Sequence, residues 1–346
     1  ATVRLLAGGQ DAGKSVELNE SNGWKASFEG LPKYDASGAE IAYTVKEDAV
    51  EGYDSAITGD ALNGFTVTNT STAKVDVPVV KKWVGPAAGE ATVRLLAGGQ
   101  DAGKSVELNE SNGWKASFEG LPKYDASGSE IEYTVAEDAV EGYDSAITGD
   151  AQGGFTVTNT SAATVNVPVE KKWVGPAADK ATVRLLAGGQ DAGKSVELNE
   201  SNGWKASFEG LPKYDASGAE IAYTVKEDAV EGYDSAITGD ALNGFTVTNT
   251  STAKVDVPVV KKWVGPAAGE VTVSLKRGDA VVGTLKLSDA NGWNDSFRGL
   301  PKYDSQTGEE IEYTLAEEPV EGYDSAITGD AQAGFTVTNT STAKVD

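Results

Sequence analysis

A repeat of 90 residues organises the whole chain. The hexapeptide FTVTNT recurs at that spacing, beginning at Phe65, Phe155, Phe245 and Phe335. Residues 1–90 and 181–270 are identical, and the last copy diverges most, from Val271 onward. This period is too long for one unit of a solenoid and suits a domain with its own core. The chain is therefore predicted to contain four tandem domains.

The domain boundaries follow from a second recurring segment, V-P-V-x-K-K-W, which opens three of the four copies. The predicted domains are residues 1–74, 75–164, 165–254 and 255–346, here called repeats 1 to 4. Repeat 1 lacks the segment, so it is predicted to lack its first strand.

Each copy has the pattern of short β-strands. Alternating or β-branched stretches include ATVRLLAGG, KSVELNES, GWKASFEGL, EIAYTVKE, GFTVTNT and KVDVPVVKKWVG. Gly8-Gly9 and Asn22-Gly23 are typical of tight hairpin turns. About seven strands in a domain of this size predict an all-β, Greek-key sandwich. Because the linkers are very short, we expect an elongated, monomeric array.

Composition excludes several classes of function. A net charge of −24 argues against nucleic acid, which needs clustered Lys and Arg. No apolar run is long enough for a membrane span, so no membrane insertion is expected. The chain has no Cys, His or Met. We therefore expect no disulfide, no metal and no cofactor.

Strand alternation places three polar residues on the predicted core face. Along the strand that ends at Trp83, Lys81 is in phase with the tryptophan. By the same count Asn69 is in phase with Phe65, and Glu47 with the aromatic and aliphatic residues of its own strand. Each repeat unit therefore combines an amine, a carboxamide and a carboxyl group among apolar neighbours.

Each of these residues alone has a simpler interpretation. A lysine near a strand end usually extends its amine to water, an asparagine there usually forms a turn, and a glutamate is usually solvated. Their coincidence favours chemistry instead. Burial favours the uncharged form of each group, a neutral amine is a nucleophile, and a protonated carboxyl can polarise a carboxamide. The pattern predicts a Lys–Asn isopeptide bond, formed with loss of ammonia.

The order of K-x-W, N-G-W, L-P-K-Y-D, Y-T-V-x-E and T-N-T resembles the Cna protein B-type domain of Gram-positive surface adhesins and pilins. The resemblance covers essentially the whole chain. It implies a transthyretin-like, inverse-immunoglobulin sandwich, often with an autocatalytic isopeptide bond assisted by an acidic residue. It also implies a stalk on the extracellular, wall-anchored surface of a Gram-positive bacterium, with any host ligand bound by regions outside these residues.

Transferred to this chain, the resemblance implies one cross-link in each of repeats 2 to 4. The pairs, with their assisting acid, are Lys81–Asn159 with Glu137, Lys171–Asn249 with Glu227, and Lys261–Asn339 with Glu317. In repeat 1, Asn69 and Glu47 lack a lysine partner in this chain. At the other end, Lys344-Val345-Asp346 precedes the point at which a next first strand would begin.

Two other classes of function were compared with the stalk. An enzyme with turnover is disfavoured, because a triad needs His or Cys in most forms and no G-x-S-x-G, P-loop or G-x-G-x-x-G is present. The alternative is a ligand-binding adhesin region that contacts host matrix or cell-surface proteins. Arg277-Gly278-Asp279 would suit it, but the tripeptide falls where the other copies have a hairpin turn. No calcium-loop motif appears.

Overall fold

The structure is a computed structural model that describes residues 1–344. The predicted end of repeat 4, at Val345 and Asp346, lies outside the described residues. The chain divides into two compact units. The first contains Ala1–Ala162 with Tyr214–Ala219, and the second contains Ala163–Lys213 and the described residues from Glu220 onward.

The predicted all-β architecture is confirmed, because residues 1–344 contain β-strands and short 3-10 turns but no α-helix. Within those residues no helix is long and apolar enough to cross a membrane. The strands of repeat 1 are β1 (Thr2–Ala7), β2 (Gln10–Glu17), β3 (Tyr43–Glu47), β4 (Tyr53–Asp60) and β5 (Gly64–Ser71). Those of repeat 2 are β6 (Lys74–Val84), β7 (Glu90–Ala97), β8 (Gln100–Asn109), β9 (Lys115–Pro122), β10 (Tyr133–Glu137), β11 (Tyr143–Asp150) and β12 (Gly154–Ser161).

Repeats 3 and 4 follow the same order. Repeat 3 contains β13 (Thr164–Val174), β14 (Lys180–Ala187), β15 (Gln190–Asn199), β16 (Lys205–Pro212), β17 (Tyr223–Glu227), β18 (Tyr233–Asp240) and β19 (Gly244–Ser251). Repeat 4 contains β20 (Lys254–Val264), β21 (Val271–Arg277), β22 (Ala280–Leu287), β23 (Asn294–Pro301), β24 (Tyr313–Glu317), β25 (Tyr323–Asp330) and β26 (Gly334–Ser341). The 3-10 turns are Glu20–Asn22, Glu110–Asn112, Glu200–Asn202 and Asp289–Asn291.

Each complete repeat is a sandwich of a four-stranded and a three-stranded sheet. In repeat 2 the strand orders are β11-β12-β6-β9 and β10-β7-β8. The first strand, β6, lies parallel to the last strand, β12, and antiparallel to β9. The apolar side chains between the sheets are fully buried, among them Val79, Leu95 and Val157. The first and last strands of a complete repeat are therefore neighbours inside one sheet.

One of the two predicted turns is a hairpin and the other is not. Gly98-Gly99, the copy of Gly8-Gly9 in repeat 2, joins β7 to its antiparallel neighbour β8 through two residues with positive φ. The prediction for the Asn-Gly pair is wrong. Asn112 closes a 3-10 turn and Gly113 follows it in the left-handed region, so the chain passes from β8 in one sheet to β9 in the other.

Repeat 1 departs from the predicted strand set. Its described sheets are β2-β1-β3 and the two-stranded β4-β5. Residues 24–31, predicted as a strand from GWKASFEGL, form no strand there, whereas the identical residues of repeat 3 form β16. In repeat 3 the partner of β16 is β13. In repeats 2 to 4 the corresponding strand pairs with the first strand of its own repeat.

The turn between β25 and β26 requires glycine at one position. Gly329 has φ +97°, and a Cβ atom there would overlap the backbone carbonyl oxygen of Gly334. Gly322 also has positive φ, +80°, but open space around its Cα. Alanine substitutions at these two glycines therefore separate the cost of the left-handed backbone conformation from the cost of the steric overlap.

We expect Gly329→Ala to destabilise the β25–β26 hairpin by about 2 kcal/mol or more, because overlap adds to backbone strain. Gly322→Ala should cost about 1 kcal/mol, from the left-handed conformation alone. Hydrogen exchange followed by mass spectrometry measures both, since repeat 4 has its own peptide masses. Equal protection in the two variants would show that the turn relaxes around the methyl group.

Candidate functional site

The first strand of each complete repeat buries one lysine side chain. In β6 the alternation turns Val77, Val79 and Lys81 inward and leaves Lys82 exposed. The Lys81 side chain is 0% exposed. Its backbone N–H donates to the Trp114 carbonyl at 2.8 Å, which ties the end of this strand to the chain that enters β9. Lys171 and Lys261 are buried in the same way.

A glutamate reaches each lysine from the opposite sheet. Glu137 is the last residue of β10, and its side chain is 1% exposed. Its Oε1 lies 3.0 Å from Lys81 Nζ. The corresponding distance is 3.0 Å for Lys171–Glu227 and 3.1 Å for Lys261–Glu317. The ion pair thus bridges the two sheets across the core.

The asparagine lies on the last strand, beside the lysine. In the parallel β6–β12 ladder, Lys81 is paired with Val157 and Trp83 with Asn159. Lys81 and Asn159 are therefore diagonal neighbours on one face. Asn159 is 0% exposed, and its carboxamide has no hydrogen-bond partner among the described residues. The Lys81 amine also donates to the Val157 carbonyl at 3.5 Å.

Repeat 4 shows the three groups in direct contact through one carboxylate oxygen. Asn339 Nδ2 donates to Glu317 Oε1 at 3.3 Å, and the same oxygen lies 3.1 Å from Lys261 Nζ. The second oxygen, Oε2, accepts from the Ser325 hydroxyl at 2.6 Å. The carboxyl group therefore stands between the amine and the carboxamide.

Aromatic rings close the site from the side. The Lys81 amine lies 4.3 Å from the centroid of the Trp83 ring. That ring makes edge contacts with Trp114 at 5.3 Å and Tyr143 at 5.0 Å between centroids. The Tyr143 hydroxyl donates to the Pro86 carbonyl. Water is excluded from the amine on this side.

Burial sets the protonation of the lysine. Desolvation lowers the pKa of Lys81, Lys171 and Lys261 below the usual 10.5, and the hydrogen bond and charge of the glutamate only partly oppose this shift. A buried charge is costly even when it is paired. The neutral, nucleophilic form of the amine is therefore populated at a lower pH here than on a surface lysine.

Repeat 1 holds two members of the constellation. Glu47 is 7% exposed, and its Oε1 accepts a hydrogen bond from Asn69 Nδ2 at 2.9 Å. No lysine of the described residues faces this pair. The residues that the sequence selects are thus brought together in repeats 2 to 4, and two of the three meet in repeat 1. Their roles in a reaction stay predictions.

Strand alternation alone does not predict the aromatic wall as a part of the site. Trp114 has φ +61°, a left-handed conformation that is unusual for a bulky residue, and its ring lies against Trp83. The N-G-W motif contains this tryptophan, although the Asn-Gly pair by itself predicts a hairpin. Tyr143 begins β11, a strand that the sequence analysis did not pick out.

In the tripeptide Arg277-Gly278-Asp279, Arg277 is the last residue of β21, and Gly278-Asp279 form the two-residue turn to β22. This is the placement that its alignment with the other copies predicts. The Arg277 guanidinium forms an ion pair with Asp304. The arginine is therefore engaged within its own repeat.

These features define a class: tandem all-β sandwiches whose complete members bury a lysine and a glutamate beside an asparagine. A sequence model of the Cna protein B-type domain matches residues 1–70, 77–160, 167–250 and 257–340. Because these matches cover most of the chain, the protein belongs to the Cna protein B-type domain family.

The chain is also similar to proteins of known name. The collagen adhesin of Staphylococcus aureus is 34% identical over 367 residues, which cover 99% of this chain and 30% of the adhesin. The chain thus spans about a third of that relative. A crystal structure of two B repeat units of the collagen binding protein of the same organism is 32% identical, covering 99% of this chain and 93% of the other, with a TM-score of 0.35. The pilus adhesin SpaC of Lactobacillus rhamnosus GG is 14% identical, covering 88% and 47%, with a TM-score of 0.29.

The lowered lysine pKa predicts how stability depends on pH when the amine is kept free. In Asn159→Ala, Lys81 remains beside Glu137 with no carboxamide to react with. Below its lowered pKa the amine is protonated in both the folded and the unfolded state, and the burial penalty is present in full. Between that pKa and about 10.5 only the unfolded state holds the proton, so the free energy of unfolding rises with pH.

The matched control is the double variant Asn159→Ala/Lys81→Met, which has no amine to titrate. Denaturant melts followed by tryptophan fluorescence, from about pH 8 to about pH 10, give the difference between the two variants. We expect the single variant to gain stability relative to the double variant as pH rises. A relative loss would mean that the glutamate raises the lysine pKa more than burial lowers it.

Proposed function

We propose that these repeats form a structural stalk of a bacterial cell-surface adhesin or pilus, in which each complete domain is locked by an intramolecular Lys–Asn isopeptide bond. The observation that carries the proposal is the buried Lys81–Glu137 pair beside the buried carboxamide of Asn159, which has no hydrogen-bond partner in the part of the chain that the structure describes. A buried amine, carboxyl and carboxamide are costly to keep as they are. A cross-link removes the amine's charge and uses the carboxamide.

The reaction needs no group beyond those three. Transfer of the Lys81 proton to Glu137 across their contact leaves a neutral Nζ, which attacks Cγ of Asn159 while Glu137 donates a hydrogen bond to the carboxamide oxygen. Glu137 then carries a proton from the attacking nitrogen to Nδ2, the bond from Cγ to Nδ2 breaks, and ammonia leaves. Placement of the groups in one core replaces a bimolecular encounter, an effect of about 10⁵ M or more in effective molarity. The reaction occurs once for each domain, so the protein is not an enzyme with turnover.

The position of the bond suits a mechanical role. In a complete repeat the chain enters on the first strand and leaves on the last, and these strands are parallel neighbours, β6 and β12. A bond between Lys81 and Asn159 passes a pulling force from one to the other without loading the sheet hydrogen bonds. It also closes a loop of about 80 residues. The closed loop lowers the conformational entropy of the unfolded chain, which stabilises the folded domain by about 4–5 kcal/mol. The chain has no cysteine that could supply a disulfide instead.

The family supports the location. The relatives are named as a collagen adhesin of Staphylococcus aureus and a pilus adhesin of Lactobacillus rhamnosus GG. We place this chain on the extracellular, wall-anchored surface of a Gram-positive bacterium, where the repeats hold a ligand-binding region away from the cell. Binding of a host matrix or cell-surface ligand is assigned to regions outside residues 1–346. Tight binding of collagen by a single repeat would contradict this division of roles.

Intact-mass spectrometry of the unfolded protein tests the cross-links. We expect a mass lower than that of the sequence by three ammonia molecules, one for each of Lys81–Asn159, Lys171–Asn249 and Lys261–Asn339. Glu137→Ala should remove one of the three losses, because the second repeat alone loses its proton carrier.

The matched control is Glu132→Ala, which removes an exposed carboxylate just before β10 and should keep all three losses. If the protein without substitutions has the full mass of its sequence, the repeats are β-sandwiches without cross-links. A full set of losses in Glu137→Ala would remove the glutamate from the mechanism.

A further inference from the structure

A serine lies opposite the buried asparagine in each complete repeat. It belongs to the strand that pairs antiparallel with the last strand of the repeat, and the register is the same in all three. The pairs are Ser145–Asn159, Ser235–Asn249 and Ser325–Asn339. Directly opposed residues of an antiparallel pair project to the same face of the sheet. The serine hydroxyl is therefore a neighbour of the site, although the serine itself is exposed.

In repeat 4 this serine holds the glutamate. The Ser325 hydroxyl donates to Glu317 Oε2 at 2.6 Å. The Glu317 side chain is 2% exposed, so the bond links a buried carboxyl group to the surface strand β25. Hydrogen bonds that a carboxylate accepts are short and about twice as strong as bonds between neutral groups. The serine thus fixes one oxygen of the carboxyl group and leaves the other free to contact the reactants.

The complete repeats differ in what the glutamate reaches. In repeat 4, where the serine binds Oε2, Oε1 of Glu317 lies 3.1 Å from Lys261 Nζ and 3.3 Å from Asn339 Nδ2. In repeats 2 and 3 the glutamate contacts the lysine, but within residues 1–344 no hydrogen bond joins it to the serine or to the asparagine. Among these three repeats, the serine bond therefore accompanies the arrangement in which one carboxyl oxygen bridges the amine and the carboxamide.

A surface groove brings solvent to the serine. In repeat 3 a cavity of about 680 Å³ is lined by residues that include Glu227, Tyr233 and Ser235. Glu227 is buried, whereas Ser235 is exposed. The serine therefore stands at the boundary between the acid and water.

A hydroxyl suits both protonation states of the glutamate. As a carboxylate, the glutamate only accepts hydrogen bonds; once it has taken the lysine proton, it also donates one. A serine hydroxyl both donates and accepts, so it can bond to either form. The same side chain can hold the carboxyl group before and after the proton moves.

We propose that Ser325 is a positioning residue for the cross-link reaction of repeat 4, and that Ser145 and Ser235 have the same role in repeats 2 and 3. The hydroxyl holds Oε2 of the glutamate, so that Oε1 stays between the amine and the carboxamide while the proton passes from lysine to glutamate. No atom of the serine enters the new bond, and ammonia remains the leaving group. This inference rests on the proposed function of the repeats.

Pulse labelling of newly made protein follows the formation of the bond. The full 346-residue chain is labelled briefly with isotopic lysine, denatured in acid at set times and digested, and mass spectrometry measures the fraction of Lys261 joined to Asn339. The sequence Gln332-Ala333 before the last strand occurs in repeat 4 alone, so its peptide is read separately. Ser325→Ala should slow this step about tenfold or more, because a misplaced acid loses part of its catalytic effect.

Two variants of the same strand are the matched controls. Ser325→Thr keeps the hydroxyl on a residue that suits a β-strand, and it should react at close to the original rate. Thr328→Ala removes another exposed hydroxyl of β25 and should leave the rate unchanged. Rescue by threonine is a result that a merely structural role does not give, because alanine changes the shape of serine less than threonine does.

Ser145→Ala, read in repeat 2, repeats the test in a second domain and should slow the Lys81–Asn159 bond alone. It also decides the question if Ser325→Ala loses the hydrogen-exchange protection of its β25–β26 hairpin.

Repeats without a substitution are the internal reference in every sample. If they react and the alanine variants form their bond at the original rate, the serine has no role and the cross-link chemistry stands. Equal slowing by alanine and threonine also overturns the inference, because it assigns the effect to the strand and not to the hydroxyl. If no repeat of the protein without substitutions forms a bond, the proposed function fails and this inference fails with it.

Discussion

The buried ion pair between lysine and glutamate is the constraint on which each complete repeat depends. Lys81 on one sheet and Glu137 on the other meet at 3.0 Å with almost no exposed surface. A pair of this kind costs more in lost hydration than it returns, unless its geometry is good and its remaining polar atoms are satisfied. Here Asn159 adds a carboxamide that has no hydrogen-bond partner within residues 1–344, so the cost rises further. Three costly groups in one small core are difficult to explain as packing. They are readily explained as reactants that burial activates.

The first strand is the element that assembles this site. It supplies the lysine, half of the central parallel ladder and the pairing partner of β9 in repeat 2 or β16 in repeat 3. The strand order, with the first and last strands adjacent, makes the two ends of the domain depend on each other.

Much of the fold and the site could be read from the sequence, because strand alternation is a strict geometric rule. It places Lys81 inside and Lys82 outside, as the structure has them, and the 90-residue repeat agrees with the four segments that match the family's sequence model. The failures have physical causes too. Asn112-Gly113 has the composition of a hairpin, but it ends a 3-10 turn, and the left-handed residues Gly113 and Trp114 that follow direct the chain into the other sheet. The sequence does not predict β11, which begins at Tyr143, because its outward residues are polar and its alternation is weak. The contact between Glu137 and Lys81 joins two sheets, and no local pattern encodes it.

Parallel pairing of the terminal strands explains why a covalent bond, rather than a larger core, is the suitable reinforcement. A force applied to the ends of a repeat shears β6 against β12, and a ladder of backbone hydrogen bonds is the first structure to bear that load. Enlarging the apolar core would raise stability, but the force would still pass through the hydrogen bonds between the two strands. A covalent bond between residues on those strands would instead transmit the force from one strand to the other through side-chain atoms. The Lys–Asn diagonal is a position from which a single bond spans the sheared ladder. Its placement next to Trp83, under an aromatic wall, keeps the three groups away from water and would do the same for the proposed bond.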